Sequence, residues 1–149
     1  MSKAPPLLSE RESAPKVDSL LRLTTAVFVT VYFVHGVDHL RRGLDFESAP
    51  IIAIGIVQTL LIVFAVVLVA TRSRRAPLAA VVVGTVNAAG FTLQHVLPAW
   101  FAPLSDSFID APLDRHVSAF SWLVVLLDIV AALAFATVGG LALRARKSV

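Results

Sequence analysis

The chain contains no cysteine and little charge for its length. Without cysteine it can form no disulfide scaffold, no thiolate metal site and no redox dithiol, and it has no thiol nucleophile. Only 15% of its 149 residues are charged, whereas an average soluble domain has about 25%. It also lacks a phosphate-binding loop of the Walker type and a Gly-x-Ser-x-Gly elbow. These absences exclude thiol chemistry and argue against a nucleotide-driven enzyme or a serine hydrolase.

Apolar sequence is what the chain has in abundance. Hydrophobic residues make up 57% of it and its mean hydropathy is +0.82. A chain this short cannot hide so much apolar surface in a single core. Four apolar stretches reach the roughly 20 residues that cross a bilayer, namely 20–40, 49–71, 76–97 and 117–143. We therefore predict an all-α integral membrane protein, a four-helix bundle with four transmembrane helices.

The basic residues indicate the orientation of this bundle. All but three of the 13 Lys and Arg residues lie at or before the start of the first stretch, between the second and the third, or after the fourth. The three on the opposite side are Arg41, Arg42 and Arg115. The positive-inside rule then places both the N-terminus and the C-terminus in the cytoplasm. In this topology residues 1–19 form a flexible cytoplasmic tail and residues 144–149 a basic one.

The longest outer loop, 98–116, contains Trp100, Phe101 and Phe108. Aromatic rings near the end of a span suit the lipid headgroup region, which favours an interfacial anchor. Long loops in compact domains are often functional, so a lid over an outward-facing site is the alternative. The richness in Ala and Val and the preference for Arg over Lys are typical of GC-rich bacteria. We therefore expect a multi-pass protein of the plasma membrane, in a bacterium the inner membrane.

All four histidines fall towards the outer side of this topology. His35 and His39 are four residues apart and share one helix face, and Asp38 lies beside them. Such a group can bind a metal ion, with Asp38 as a further ligand or as an orienting group. The candidate metal ligands are therefore His35, Asp38, His39, His95 and His116. The alternative is that Asp38 and His39 are solvated at the membrane interface and pair with neighbouring arginines.

The nature of the bound species stays open between a transition metal ion and haem. Imidazole ligands suit zinc, copper or iron. Haem is the second option because the cores of helix bundles commonly hold cofactors. Its axial ligands would be His35 and His95, from the first and third spans, with Gly36 and Gly90 leaving room for the porphyrin.

Four polar side chains are expected inside the membrane: Gln58, Asn87, Gln94 and Asp128. Asp128 is the most costly, since a carboxylate at the bilayer centre costs about 2.5–3.5 kcal/mol on insertion scales. No Lys or Arg is expected at its depth. Asp128 is therefore either a protonated hydrogen-bond donor between helices or a proton or cation site. The other three are helix-packing contacts or the lining of a polar path.

Three functions are compatible with this sequence. Base rates favour an accessory or assembly subunit of a larger membrane complex, whose polar residues specify helix packing. The second is a metal- or haem-binding protein for redox chemistry or metal handling. The third is a proton-coupled carrier or channel subunit that uses Asp128. The expected partners are the lipid bilayer and other membrane subunits or further copies of the chain, and not nucleic acid, since the net charge is only +3.

Overall fold

The computed structural model describes residues 8–43, 48–101 and 104–147. Within these ranges the regular structure is entirely helical and contains no strand. The long helices are, in chain order, α1 (Leu8–Arg42), α2 (Ala49–Ala70), α3 (Ala76–Phe91) and α4 (Ala119–Lys147). One π-helical turn, Thr92–Val96, continues α3, and a short 3-10 helix, Leu113–Arg115, precedes α4.

Four helical segments are long and apolar enough to cross a membrane: Lys16–Arg42, Ala49–Ala70, Ala76–Val96 and Ala119–Arg146. The prediction of an all-α chain with four such helices is therefore confirmed. Helix α1 begins at Leu8, so residues 8–19 are helical where a flexible tail was expected, and residues 1–7 of that predicted tail lie outside the described residues. Pro5 and Pro6 precede this start, and the Glu, Arg and Ala residues that follow it favour helix. At the other end, α4 extends to Lys147 through most of the expected basic tail.

Local sequence determines where α2 begins and ends. The Ser48 hydroxyl caps its first turn by accepting the Ile51 backbone N–H at 3.4 Å. Pro50 stands in the same turn, where its missing N–H is not needed. After α2 the backbone at Arg72 enters the left-handed region with φ at 55°. Helix α3 begins shortly afterwards, at Ala76, so α2 and α3 form a tight antiparallel hairpin.

The core lies between α1, α3 and α4. The rings of Phe28 on α1 and Phe135 on α4 are buried and stack with their centroids 5.4 Å apart. Helices α3 and α4 approach each other closely because glycine stands at their contact points. A Cβ on Gly139 would come within 2.7 Å of the Pro77 carbonyl, and Gly84 provides the equivalent space on α3. Small residues of this kind let helix backbones meet in membrane bundles.

Helix α2 lies at the edge of the bundle. Most of its large apolar side chains are exposed: Ile52, Ile54, Ile56, Val57, Leu60, Leu61, Val63, Phe64 and Val67. Two polar contacts tie it to its neighbours. The Tyr32 hydroxyl meets the Thr59 hydroxyl at 2.7 Å, and the Gln58 amide donates to Asn87. The exposed apolar face suits contact with lipid.

Gly139→Ala should destabilise the bundle, because the new methyl group meets the Pro77 carbonyl and the Val81 backbone nitrogen. Overpacking of a tight contact costs about 1–3 kcal/mol. Gly140→Ala is the matched control, since nothing lies within 4 Å of a Cβ built there. Denaturant unfolding in a mild detergent measures both variants. Equal stability of the two would contradict the close approach of α3 and α4.

Candidate metal centre

Three histidines converge where α1 ends and α3 passes into its π-helical turn. His35 and His39 lie one turn apart on α1, with their Nε2 atoms 3.0 Å apart. The ring of His95 lies 5.1 Å from that of His35 and 5.4 Å from that of His39, measured between centroids. One nitrogen of each ring lies within 4.8 Å of the others. Small side-chain rotations would bring all three to the usual Zn–N distance of about 2.0–2.1 Å from a single ion. We call these three residues the histidine centre.

The helices explain how the three rings meet. The spacing of four residues places His35 and His39 on one face of α1. His95 stands in the π-helical turn that continues α3, a feature that recurs at functional sites. Beneath the histidines lies Phe91, whose ring is 4.5 Å from that of His35 and 5.9 Å from that of His95. His35 and His95 are buried, while His39 is partly exposed. The histidine centre is therefore closed on its bundle side by an aromatic ring.

The segment between α3 and α4 folds back onto His95. Asp106 is buried, and its backbone carbonyl accepts from His95 Nδ1 at 3.0 Å, with its carboxylate 3.3 Å from the same nitrogen. The Phe108 backbone N–H donates to the His95 carbonyl at 2.9 Å, and the Phe108 ring packs 4.7 Å from the imidazole. Trp100 and Phe101 stay exposed, as anchors in a headgroup layer would. The later part of this segment thus covers the site.

A buried arginine connects α1 to the covering segment. Both terminal nitrogens of Arg42 donate to the Asp106 carboxylate, at 2.6 and 3.3 Å. Arg42 Nε lies 3.4 Å from Asp38, and the guanidinium stands 5.0 Å from the centre of the Phe108 ring. Arg115 adds a further contact to Asp106 at 3.2 Å. A buried charge is tolerated only when it is paired and hydrogen-bonded. These contacts supply that pairing for the buried charges of Arg42 and Asp106.

The hydrogen bonds assign the protons on the imidazoles. Arg42 can only donate, and its Nη2 lies 3.2 Å from His39 Nδ1, so this nitrogen accepts. His39 Nε2 then carries the proton and donates a hydrogen bond to His35 Nε2. His95 donates from Nδ1 to Asp106, which leaves a lone pair on Nε2. Among the residues described, this buried Nε2 has no hydrogen-bond partner. The lone pairs on Nε2 of His35 and Nε2 of His95 therefore face the centre. Moving the His39 proton from Nε2 to Nδ1 would supply a third lone pair.

Two of the five predicted metal ligands do not join this group. Asp38 is buried, but its carboxylate is bound by Arg41 at 2.9 Å and by Arg42. This is the arginine pairing of the alternative, but Asp38 is buried where that alternative expected it to be solvated. His116 is exposed, because α4 begins only at Ala119 and His116 itself stands in a left-handed turn with φ at 50°. The His116 carbonyl, rather than its ring, bonds Arg41 at 3.2 Å.

The four predicted intramembrane polar residues occupy different surroundings. Gln58 and Asn87 hydrogen bond to each other across α2 and α3. Gln94 is half-buried beside His95. Asp128 on α4 is fully buried, and neither of its oxygens finds a hydrogen-bond partner within the described ranges.

Sequence reasoning did not include Arg42 or Asp106 among the site residues. Arg42 was counted as a topology signal and, in the alternative, as a salt-bridge partner of Asp38 and His39, and its spacing of three from His39 and four from Asp38 places it on their helix face. No local pattern could have revealed Asp106, because it meets Arg42 across 64 positions of the chain.

Comparison with known proteins adds no relative to this picture. No family model matches the chain, and neither a curated protein nor a solved structure matches it. Its function has to be argued from the chemistry of its own residues.

Burial acts to raise the pKa of Asp106, but hydrogen bonds from His95 and Arg42 outweigh it and hold that pKa well below its usual range. Such a carboxylate stabilises the fold fully above its unfolded pKa of about 3.9, and the contribution is lost as the pH falls towards the folded value. Asp106→Asn removes the charge opposite Arg42. It should lower the free energy of unfolding by about 3–5 kcal/mol at pH 7. This deficit should stay constant down to about pH 5 and shrink at lower pH.

Asp110→Asn is the control for this charge change, because Asp110 is exposed in the same segment. We expect it to change stability by about 0.5 kcal/mol or less. Denaturant unfolding in detergent between pH 3 and pH 8 compares both variants with the natural chain. An Asp106→Asn deficit that grew towards acid pH would show that the carboxylate does not act as described.

Proposed function

We propose that the protein is a multi-pass protein of the plasma membrane that binds one transition metal ion through His35, His39 and His95. The convergence of their ring nitrogens within 4.8 Å carries the proposal. An unpaired buried polar atom costs about 1–3 kcal/mol, and coordination would give His95 Nε2 the partner it lacks among the described residues. Three protein ligands leave a fourth position for water or an exchangeable group, as in catalytic zinc sites. Metal handling or metal-assisted chemistry follows from such a site.

Asp106 supports this proposal as an outer partner of the site. Histidines that bind metals almost always donate their other ring N–H to a carboxylate, a backbone carbonyl or water. His95 Nδ1 meets both the carbonyl and the carboxylate of Asp106. This arrangement fixes the ring so that Nε2 points at the centre. His39 can bind the ion through Nε2 only if its proton moves to Nδ1. Nδ1 could then no longer accept a hydrogen bond from Arg42, so that contact would be lost, while Arg42 would remain paired with Asp106.

A bare ion fits the site better than haem does. The rings of His39 and Phe91 lie 4.8 and 4.5 Å from that of His35. They therefore fill the space beside His35 and His95 in which a porphyrin plane would have to lie. Three imidazoles without a thiolate suit zinc, copper or iron.

The role of accessory subunit stays a prediction beside this one. The exposed apolar face of α2 offers a surface to lipid or to another membrane subunit, and a metal site within the bundle is compatible with either. We also infer from the basic residues that both termini face the cytoplasm. The histidine centre would then lie at the outer side of the membrane.

The natural chain, purified in a mild detergent and equilibrated with Zn(II), Cu(II) or Co(II), should retain about one ion per chain for its preferred metal. His35→Ala, His39→Ala and His95→Ala should each weaken that binding by more than the 10–100-fold that follows loss of an outer partner. Elemental analysis gives the stoichiometry, and competition with a chelator gives the affinity.

His116→Ala is the matched control for these variants, because this histidine is exposed and stands apart from the centre. It should bind the ion as the natural chain does. Binding that is absent from the natural chain, or lost equally in His116→Ala, would refute the site. An optical spectrum of the same samples distinguishes a bare ion from haem. A Soret band that is lost in His35→Ala would show that the bound species is haem.

The proposed orientation can be tested because the chain has no natural cysteine. Asp114→Cys puts a single thiol in the segment before α4, and Ser148→Cys puts one at the C-terminus. A membrane-impermeant maleimide applied to intact cells should label only the first variant, and both after lysis. Labelling of Ser148→Cys in intact cells would contradict the proposed orientation and place the C-terminus outside.

A further inference from the structure

Asp128 on α4 is a deeply buried carboxyl whose partner is not evident. Asp106 meets two arginines and a histidine, whereas both oxygens of Asp128 lack a hydrogen-bond partner among the residues that the structure describes. Buried polar groups in folded proteins are nearly always satisfied, and an exception calls for an explanation. The carboxyl belongs to an apolar helix, where its insertion is costly.

Two contacts fix the register of α1 against α4, which run antiparallel. Midway along the helices the rings of Phe28 and Phe135 stack with their centroids 5.4 Å apart. Near the histidine centre Arg41 Nη2 donates to the Ser121 hydroxyl at 3.0 Å. The register is thus set on both sides of the segment that carries Asp128.

This register places Asp128 level with His35. His35 follows Phe28 by seven residues, and Asp128 precedes Phe135 by seven. Seven residues are close to two helical turns, about 10.5 Å of rise, so each returns to nearly the same face as the phenylalanine. Ser121 lies another seven residues before Asp128, in agreement with the second contact. The faces of α1 and α4 that meet at the phenylalanine pair therefore carry His35 and Asp128 two turns further along.

Asp128 also lies within electrostatic range of Tyr32 on α1, close enough for its carboxyl to act on the Tyr32 hydroxyl. Tyr32 lies three residues before His35, on the same face of α1. Asp128 accordingly lies near the part of α1 that carries His35.

The His35 ring has an unpaired atom that complements this carboxyl. Its Nε2 accepts from His39, so the assigned tautomer carries the His35 proton on Nδ1. Nδ1 is buried and, in the described part of the chain, has no hydrogen-bond partner. Among the described residues, Nδ1–H of His35 on α1 thus lacks an acceptor, and the Asp128 carboxyl on α4 lacks a donor. The two groups lie at the same level of the bundle.

We propose that Asp128 is the positioning residue of His35, and that its carboxyl accepts a hydrogen bond from Nδ1–H of His35 and so directs Nε2 at the metal ion. This inference rests on the proposed metal binding and goes beyond it by naming the outer partner of a second ligand. The two groups are not bonded in the structure, and a side-chain rotation joins them once the ion fixes the His35 ring. Asp106 holds His95 in the same way from the covering segment. Two carboxyls then orient two of the three ligands from different sides.

The test compares Asp128→Leu, which has no acceptor, with Asp128→Asn, which keeps the shape and one weaker acceptor. The affinity for Co(II) should fall about 10–100-fold in Asp128→Leu, as for other outer partners, and by less in Asp128→Asn. In the Co(II)-bound natural chain, proton NMR should show three paramagnetically shifted ring N–H signals, one from each ligand. One of the three should move and exchange faster with solvent in both variants, and the other two should stay.

Asn87→Leu is the matched control, since Asn87 is a buried polar residue of the same bundle that bonds Gln58. It should leave the Co(II) affinity and all three N–H signals unchanged, whatever it does to stability. If Asp128→Leu does not fold, Asp128→Asn decides by its affinity and its N–H signal. Natural affinity with three unchanged signals in the Asp128 variants would overturn the role of Asp128 and leave the three-histidine site intact. A natural chain that binds no ion would instead refute the site itself, and this inference with it.

Discussion

The buried ion pair between Arg42 and Asp106 is the contact on which the rest of the site depends. It joins the last turn of α1 to the segment between α3 and α4, with the closest atoms 2.6 Å apart. Asp106 in turn hydrogen bonds to His95, so this ion pair fixes both the covering segment and the candidate ligand His95. Desolvation makes buried pairs weak sources of stability, and their best-supported use is to specify one arrangement. Here the arrangement specified is the one that brings α1 and α3 together at three histidines.

Tight helix packing gives this pair a rigid base. Glycine at the contacts of α3 with α4 and the stacked rings of Phe28 and Phe135 hold three helices close together. His35 and His39 belong to one of these helices, and His95 continues another. A binding site keeps its geometry best when its residues stand on regular elements supported by packing. Helix α2, which contributes no histidine, also has the largest number of exposed large apolar side chains among the described residues.

The parts of this architecture that the sequence predicts are those that depend on local properties. Four helices follow from four long apolar runs, and the shared face of His35 and His39 follows from their spacing. Membrane depth was a poor guide to the rest, because two residues at one depth can stand on different sides of a bundle. His116 was grouped with the other histidines by depth, and its exposed turn separates it from them. Asp106 reaches the site through a fold of the covering segment that no local pattern encodes.

Asp106 and Asp128, the two buried carboxyls that we assign as outer partners of the site, differ in how they are prepared for an ion. Asp106 already has its arginines and its histidine, so His95 is oriented before any metal arrives. Asp128 has no such partner in the described chain, and neither does His35 Nδ1. On the proposed arrangement, metal binding also pairs two groups that have no hydrogen-bond partner among the described residues. Part of the binding free energy then comes from removing that penalty, about 1–3 kcal/mol for each unpaired group. A site of this kind combines one fixed ligand with a pair on α1 that adjusts by a proton shift and a side-chain rotation.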